Sequence, residues 1–102
     1  MDNIKNLELK FHAAMLNIYD RAVLECNYPA TRFLDMVHEQ GGFDAAKSLL
    51  LSKKLSDGFI ELWKLKRLDL SMEALIVENL KFHPLFTKLE LHTARKRLED
   101  MR

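Results

Sequence analysis

Cysteine occurs once in this 102-residue chain, at Cys26, so no intrachain disulfide can staple it and no thiolate pair is available for a zinc site. Proline occurs twice and glycine three times, which excludes a fibrous or low-complexity chain. No apolar run exceeds four residues, as in Ala74-Leu75-Ile76-Val77, far short of what a bilayer span requires. The segment from Met1 to Lys10 lacks the basic start and apolar stretch of a secretory signal. These scarcities point to a cytoplasmic protein, reduced and away from the membrane. Charge of one sign is scarce too. The formal net charge is +1, divided into five basic and seven acidic side chains over residues 1–51 and eleven and eight over residues 52–102. A mildly cationic carboxyl half is far weaker than the basic footprint of a dedicated DNA-binding domain.

What is plentiful is apolar side chain at helical spacing. Hydrophobic residues make up 48% of the chain, enough for a core of its own, and the length fits one domain over residues 1–102. The first helix is expected from about Asn3 to Glu25, with Ile4, Leu7, Phe11, Ala14, Met15, Ile18 and Ala22 on one side. Leu9, His12, Leu16, Tyr19 and Val23 widen that face to about half the circumference, more than one neighbouring helix covers. At least two partners must cover it, either helices of the same chain or a second copy seated on the heptad-spaced Leu9, Leu16 and Val23.

Punctuation follows. Asn27-Tyr28-Pro29 breaks this helix, and a second runs near Ala30 to Gln40 and stops at Gly41-Gly42. A third covers Asp44 to Leu51. Ser56 caps a fourth, Ser71 opens a fifth that ends near Asn79, and Thr87 with Glu90 forms a capping box for the sixth. Strand-like alternation never persists, and neither a repeat nor a linker is visible. The expected fold class is all-α, a compact bundle of five or six helices with a long first helix.

Several stretches carry a resemblance. They are Phe11-His12, Met15-Leu16 and Ile18-Tyr19, then Thr31-Arg32-Phe33-Leu34 with Met36, then Gly41-Gly42, Ala45-Ala46-Lys47 and Leu49-Leu50. The pattern continues through Ser56-Asp57-Gly58-Phe59, Leu62-Trp63, Arg67-Leu68-Asp69-Leu70-Ser71, Glu73-Ala74-Leu75, Leu85-Phe86-Thr87 and Glu90-Leu91. From about residue 8 onward the chain thereby resembles a family of small uncharacterised bacterial proteins. It departs from that pattern at Asp100-Met101-Arg102, where an acidic residue and a helix-terminating glycine or aromatic would be expected. The resemblance implies an all-helical fold and carries over no activity.

Chemistry is harder to find. No nucleophile elbow, Walker loop, dinucleotide fingerprint or H-E-x-x-H is present. Glu8 with His12 and Asp35 with His38 stand at helical spacing but lack the further carboxylates of a di-metal bundle. Neither a cofactor nor a metal is expected, and Cys26 reads as a small core hydrophobe. Phe59, Leu62 and Trp63 read as core by their spacing. Arg67, Asp69 and Glu73 form the densest polar cluster, which serves either as a recognition surface or as a local clamp around the start of the fifth helix.

The expected role is therefore non-enzymatic, a small helical interaction or regulatory module. Leu9, Leu16, Tyr19 and Val23 are the candidates for self-association, and Lys64, Arg67 and Asp69 for a polar contact with a protein partner. The alternative is a nucleic-acid-binding adaptor in which residues 44–66 form a helix, turn and helix. Lys53, Lys54, Lys64, Lys66, Arg67 and, from the last helix, Arg95 would then meet phosphates. Asp57 at the exposed opening of the second of those helices opposes that reading by its charge.

Overall fold

The computed structural model describes residues 3–102, which form six α-helices and two 3-10 segments with no strand among them. The helices are α1 (Ile4–Cys26), α2 (Thr31–Gln40), α3 (Gly42–Leu51), α4 (Asp57–Lys64), α5 (Met72–Val77) and α6 (Lys88–Met101). The 3-10 segments are Leu68–Leu70 and Leu80–Leu85. Among the described residues no helix is long and apolar enough to cross a membrane.

Caps written in the sequence set most of the boundaries. The side chain of Asn3 accepts from the Asn6 amide, Ser56 from Phe59 and Ser71 from Ala74, so α1, α4 and α5 each begin with an orphan donor satisfied. Thr87 and Glu90 bond reciprocally, at 3.1 and 2.8 Å, to open α6. Asn27 closes α1 in the left-handed region at φ 51°, a conformation its short amide tolerates. The close of α4 is less comfortable. Arg67 donates to the Leu62 carbonyl and Lys66 to that of Trp63, a Schellman turn that forces Lys66 to φ 61° where glycine is usual.

A single residue separates α2 from α3, and the joint demands glycine twice. Gly41 lies at φ 84°, ending α2. Gly42 is pressed against α1 so closely that an added Cβ would stand 2.7 Å from the Cα of His12. The Gly42 amide donates to His12 Nδ1 at 2.8 Å, so an α1 side chain caps the start of α3.

α1 is the organising element. Its 23 residues span roughly 35 Å, close to the 39 Å long axis of the molecule. Phe11, Met15, Ile18 and Ala22 are buried on one face, which α2, α3, α5 and both 3-10 segments cover. The wide face anticipated from the wheel is thus served largely within the chain. Two apolar clusters result. The larger joins Phe11, Met15 and Ile18 to Val37, Ala46, Ile76 and Ala94, and edge-on contacts of Phe11 with Phe82 and Phe86 at 5.2 and 5.3 Å lie within it. The smaller joins Ala22 to Phe59, Leu62, Leu70 and Leu98.

Three expectations need correction. Trp63 is not core: it is 44% exposed, while Phe59 and Leu62 are buried, and its indole N–H reaches the Met101 carbonyl at 2.8 Å. On an eight-residue helix, Phe59 and Leu62 already fill the inward stripe, so Trp63 is left at its edge. The fifth helix ends at Val77 rather than near Asn79, because Asn79 turns its amide back onto the Leu75 carbonyl. Glu73 does not join Arg67. It lies buried and meets Arg97 of α6 at 3.1 Å.

Arg97 does more than neutralise that carboxylate. It also donates to the carbonyls of Leu49, Leu50 and Ser52 at 3.1, 3.5 and 2.7 Å, satisfying the end of α3 where the helix dipole favours a cation. Burial pushes the Glu73 carboxyl above its ordinary range, opposed by the Glu73 backbone amide and then by Arg97.

Two substitutions test these joints. Arg97→Leu strands both Glu73 and the carbonyls at the end of α3 and should lower the unfolding free energy in urea by about 3 kcal/mol, with Glu73→Leu added on top recovering only the share due to the unpaired carboxylate. Gly42→Ala collides with the α1 backbone and should lower the urea midpoint by about 1 to 3 kcal/mol equivalent, whereas Gly58→Ala, which meets nothing closer than 3.9 Å, should leave it nearly unchanged.

Candidate binding surfaces

The four residues expected to mediate self-association are divided by the structure. Leu9 stands 67% exposed. Leu16 and Val23 are half-buried, and Leu16 packs against the larger cluster. Tyr19 turns away from this strip and lines a cavity together with α2. What remains on the outer side of α1 is Leu9, Ala13, Leu16, Asp20 and Val23 at alternating spacings of four and three, the repeat of a coiled-coil seam. Leu24, 83% exposed, lies beside its carboxyl end.

The polar cluster at the turn after α4 is a clamp with a wider reach than expected. Arg67 takes Asp69 through two bonds, at 3.0 and 3.1 Å, and also reaches back to Glu25 at the end of α1 at 2.6 Å. Arg21 holds the other oxygen of Glu25 at 2.7 Å. The hydrogen bonds from Arg21 and then Arg67 lower the Glu25 carboxyl to about 2, while Arg67 likewise lowers Asp69. Arg67 also lies 3.8 Å from the thiol of Cys26, which is half-buried beside the smaller cluster.

The lysines do not gather around it. Lys53 and Lys54 precede α4 and Lys64 and Lys66 close it, so the two exposed pairs flank the helix at opposite ends, and Arg95 is exposed on α6. α3 and α4 scarcely touch, so residues 44–66 do not pack as a helix pair. Asp57 faces Arg32 of α2 at 2.8 Å. Of the helical His pairs, His12 is spent on the Gly42 amide. Among the described residues no three His, Cys, Asp or Glu side chains converge as a metal site would require.

A cavity of about 400 Å³ opens between α1, α2, α4 and the start of α5. Its walls include Tyr19, Tyr28, Phe33, Met36, Phe59 and Met72. The exposed Arg32–Asp57 pair spans its mouth from α2 to α4, and Glu73 lies at its inner end. It is not legible in the sequence because its walls come from five segments and no local pattern records their convergence. The only local signals were the aromatics Tyr28, in the break after the first helix, and Phe33, on the second.

No protein-family model matches the chain, and neither a curated protein nor a solved structure matches it. The resemblance carried by its motifs therefore stands on those residues alone.

The Glu25 clamp has a pH signature. Its folded value is depressed, so its contribution is complete above the ordinary 4.5 and is lost as pH falls toward about 2. Carbon NMR of the side-chain carboxyl should show Glu25 still ionised at about pH 3.5, where an ordinary glutamate is mostly protonated. In Arg67→Gln the midpoint should rise, and an unchanged midpoint would show that Arg67 does not hold it.

Proposed function

We propose that the protein is a non-enzymatic helical interaction module, working in the cytoplasm, whose first helix supplies the contact and whose simplest partner is a second copy of the chain. The observation that carries this reading is the outer strip of α1, where Leu9, Ala13, Leu16 and Val23 keep an apolar seam exposed or half-exposed on a helix whose opposite face is buried at Phe11, Met15, Ile18 and Ala22. The bonding of side chains capable of acid, base or charge chemistry supports it as well. Glu73 is held by Arg97, His12 by Gly42, and Arg67 by two carboxylates, all in structural bonds.

Asp20 interrupts the seam and sets its direction. Parallel pairing would bring two Asp20 carboxylates face to face, a repulsive arrangement in a partly dry interface. Antiparallel pairing centred on Leu16 avoids this and lays Leu9 of one copy over Val23 of the other. Protein contact is favoured over nucleic acid by the separated lysine pairs and by the neutralised Arg67.

Light scattering at about 100 µM should give twice the 12.0 kDa chain mass. Leu9→Asp, at an exposed site that leaves the core intact, should return the single-chain mass with an unchanged helical spectrum. A single-chain mass for the unmodified protein, or a doubled mass that survives Leu9→Asp, would reject the seam.

A further inference from the structure

We infer that the cavity between α1, α2, α4 and α5 is a binding site for a small, uncharged, mainly apolar molecule bearing one hydrogen-bond acceptor oxygen. Its volume of about 400 Å³ lies within the range of small-molecule sites, and it would admit only a few side chains of a protein partner. Aromatic and aliphatic groups dominate the walls, so most of a ligand's contact must be apolar.

The charge of the ligand follows from what is already paired. Arg32 at the mouth is bonded to Asp57, and Glu73 at the inner end is bonded to Arg97. Glu73 is thus neutralised inside the fold while Arg32 and Asp57 stay in water at the mouth, so a charged head group carried inward would lose its hydration without gaining a partner. The polar groups left over include the phenol hydroxyls of Tyr19 and Tyr28 and, at the rim, the hydroxyl of Thr31, none of which bonds to another group among the described residues. That of Tyr28 lies over Gly58, where an added methyl would stand 3.9 Å away. Burial, with Glu61 and Asp57 nearby, raises its pKa and keeps it protonated, so it is a donor that seeks an oxygen acceptor.

Entry needs little rearrangement. The Arg32–Asp57 pair has side chains 88% and 76% exposed, and such pairs hold weakly. The site is separate from the outer strip of α1, so it stands whether or not the chain pairs with itself.

Three eight-carbon probes distinguish the chemistry: 1-octanol, octanoate and octylammonium, each titrated at neutral pH into the full-length isotope-labelled protein and followed by amide NMR. Octanol should give saturable shifts centred on Phe33, Gly58 and Met72. The two ions should bind at least about tenfold more weakly, since their head groups find no free counter-charge. Tyr28→Phe should weaken octanol about five- to tenfold while leaving the spectrum folded. Thr31→Trp, an exposed position on the rim, should block binding without removing any core group. Absence of saturable octanol shifts, binding of either ion as tight as octanol, or octanol binding indifferent to Thr31→Trp would overturn the site. Full affinity in Tyr28→Phe would overturn the acceptor-oxygen assignment.

Discussion

One helix with too wide an apolar face is the constraint from which the rest of this bundle follows. Phe11, Met15, Ile18 and Ala22 need cover along most of α1, and burial of each large side chain is worth about 1.5 to 3 kcal/mol. No single neighbour among the short helices can reach that far. The chain therefore lays α2, α3, α5 and the two 3-10 segments over it. The division of the core into two clusters, one around Phe11 and one around Ala22, follows directly from the length of that face.

Polar bonds then fix what apolar packing leaves loose. Hydrophobic cover is non-directional, so it does not determine where the ends of short helices sit. Here directional groups do so: His12 pins the start of α3, Arg97 its end, and Arg67 the close of α1 against the turn after α4. The Arg97–Glu73 pair resides inside because the same guanidinium serves three backbone carbonyls, which offsets the cost of removing it from water. Arg97 thus joins α3, α5 and α6 at one point.

The all-helical class and most helix starts were legible, because Ser56, Ser71 and Thr87 state their roles within four residues of chain, whereas α3 begins at Gly42, two residues before the expected Asp44. The Gly41-Gly42 joint was legible as a break, yet the reason for Gly42 was not, since it depends on an approach by His12 thirty residues earlier. The same limit hid the Arg97 clamp, the link from Arg67 to Glu25 and the cavity, each of which joins elements distant in sequence. Trp63 misled for a different reason. Its spacing matches a core stripe, but it stands at the edge of that stripe, where its indole N–H reaches the Met101 carbonyl and the ring stays 44% exposed.

The slender attachment of α4 has a dynamic consequence. That helix is anchored by the buried Phe59 and Leu62, by one indole bond to Met101 and by one solvent-exposed ion pair to α2. Elements so sparsely tied separate locally at a fraction of the free energy needed to melt the whole, and their amides exchange with solvent early. α4 is also one wall of the cavity, so anything held there would bridge α4 to α1 and α2 and slow that exchange.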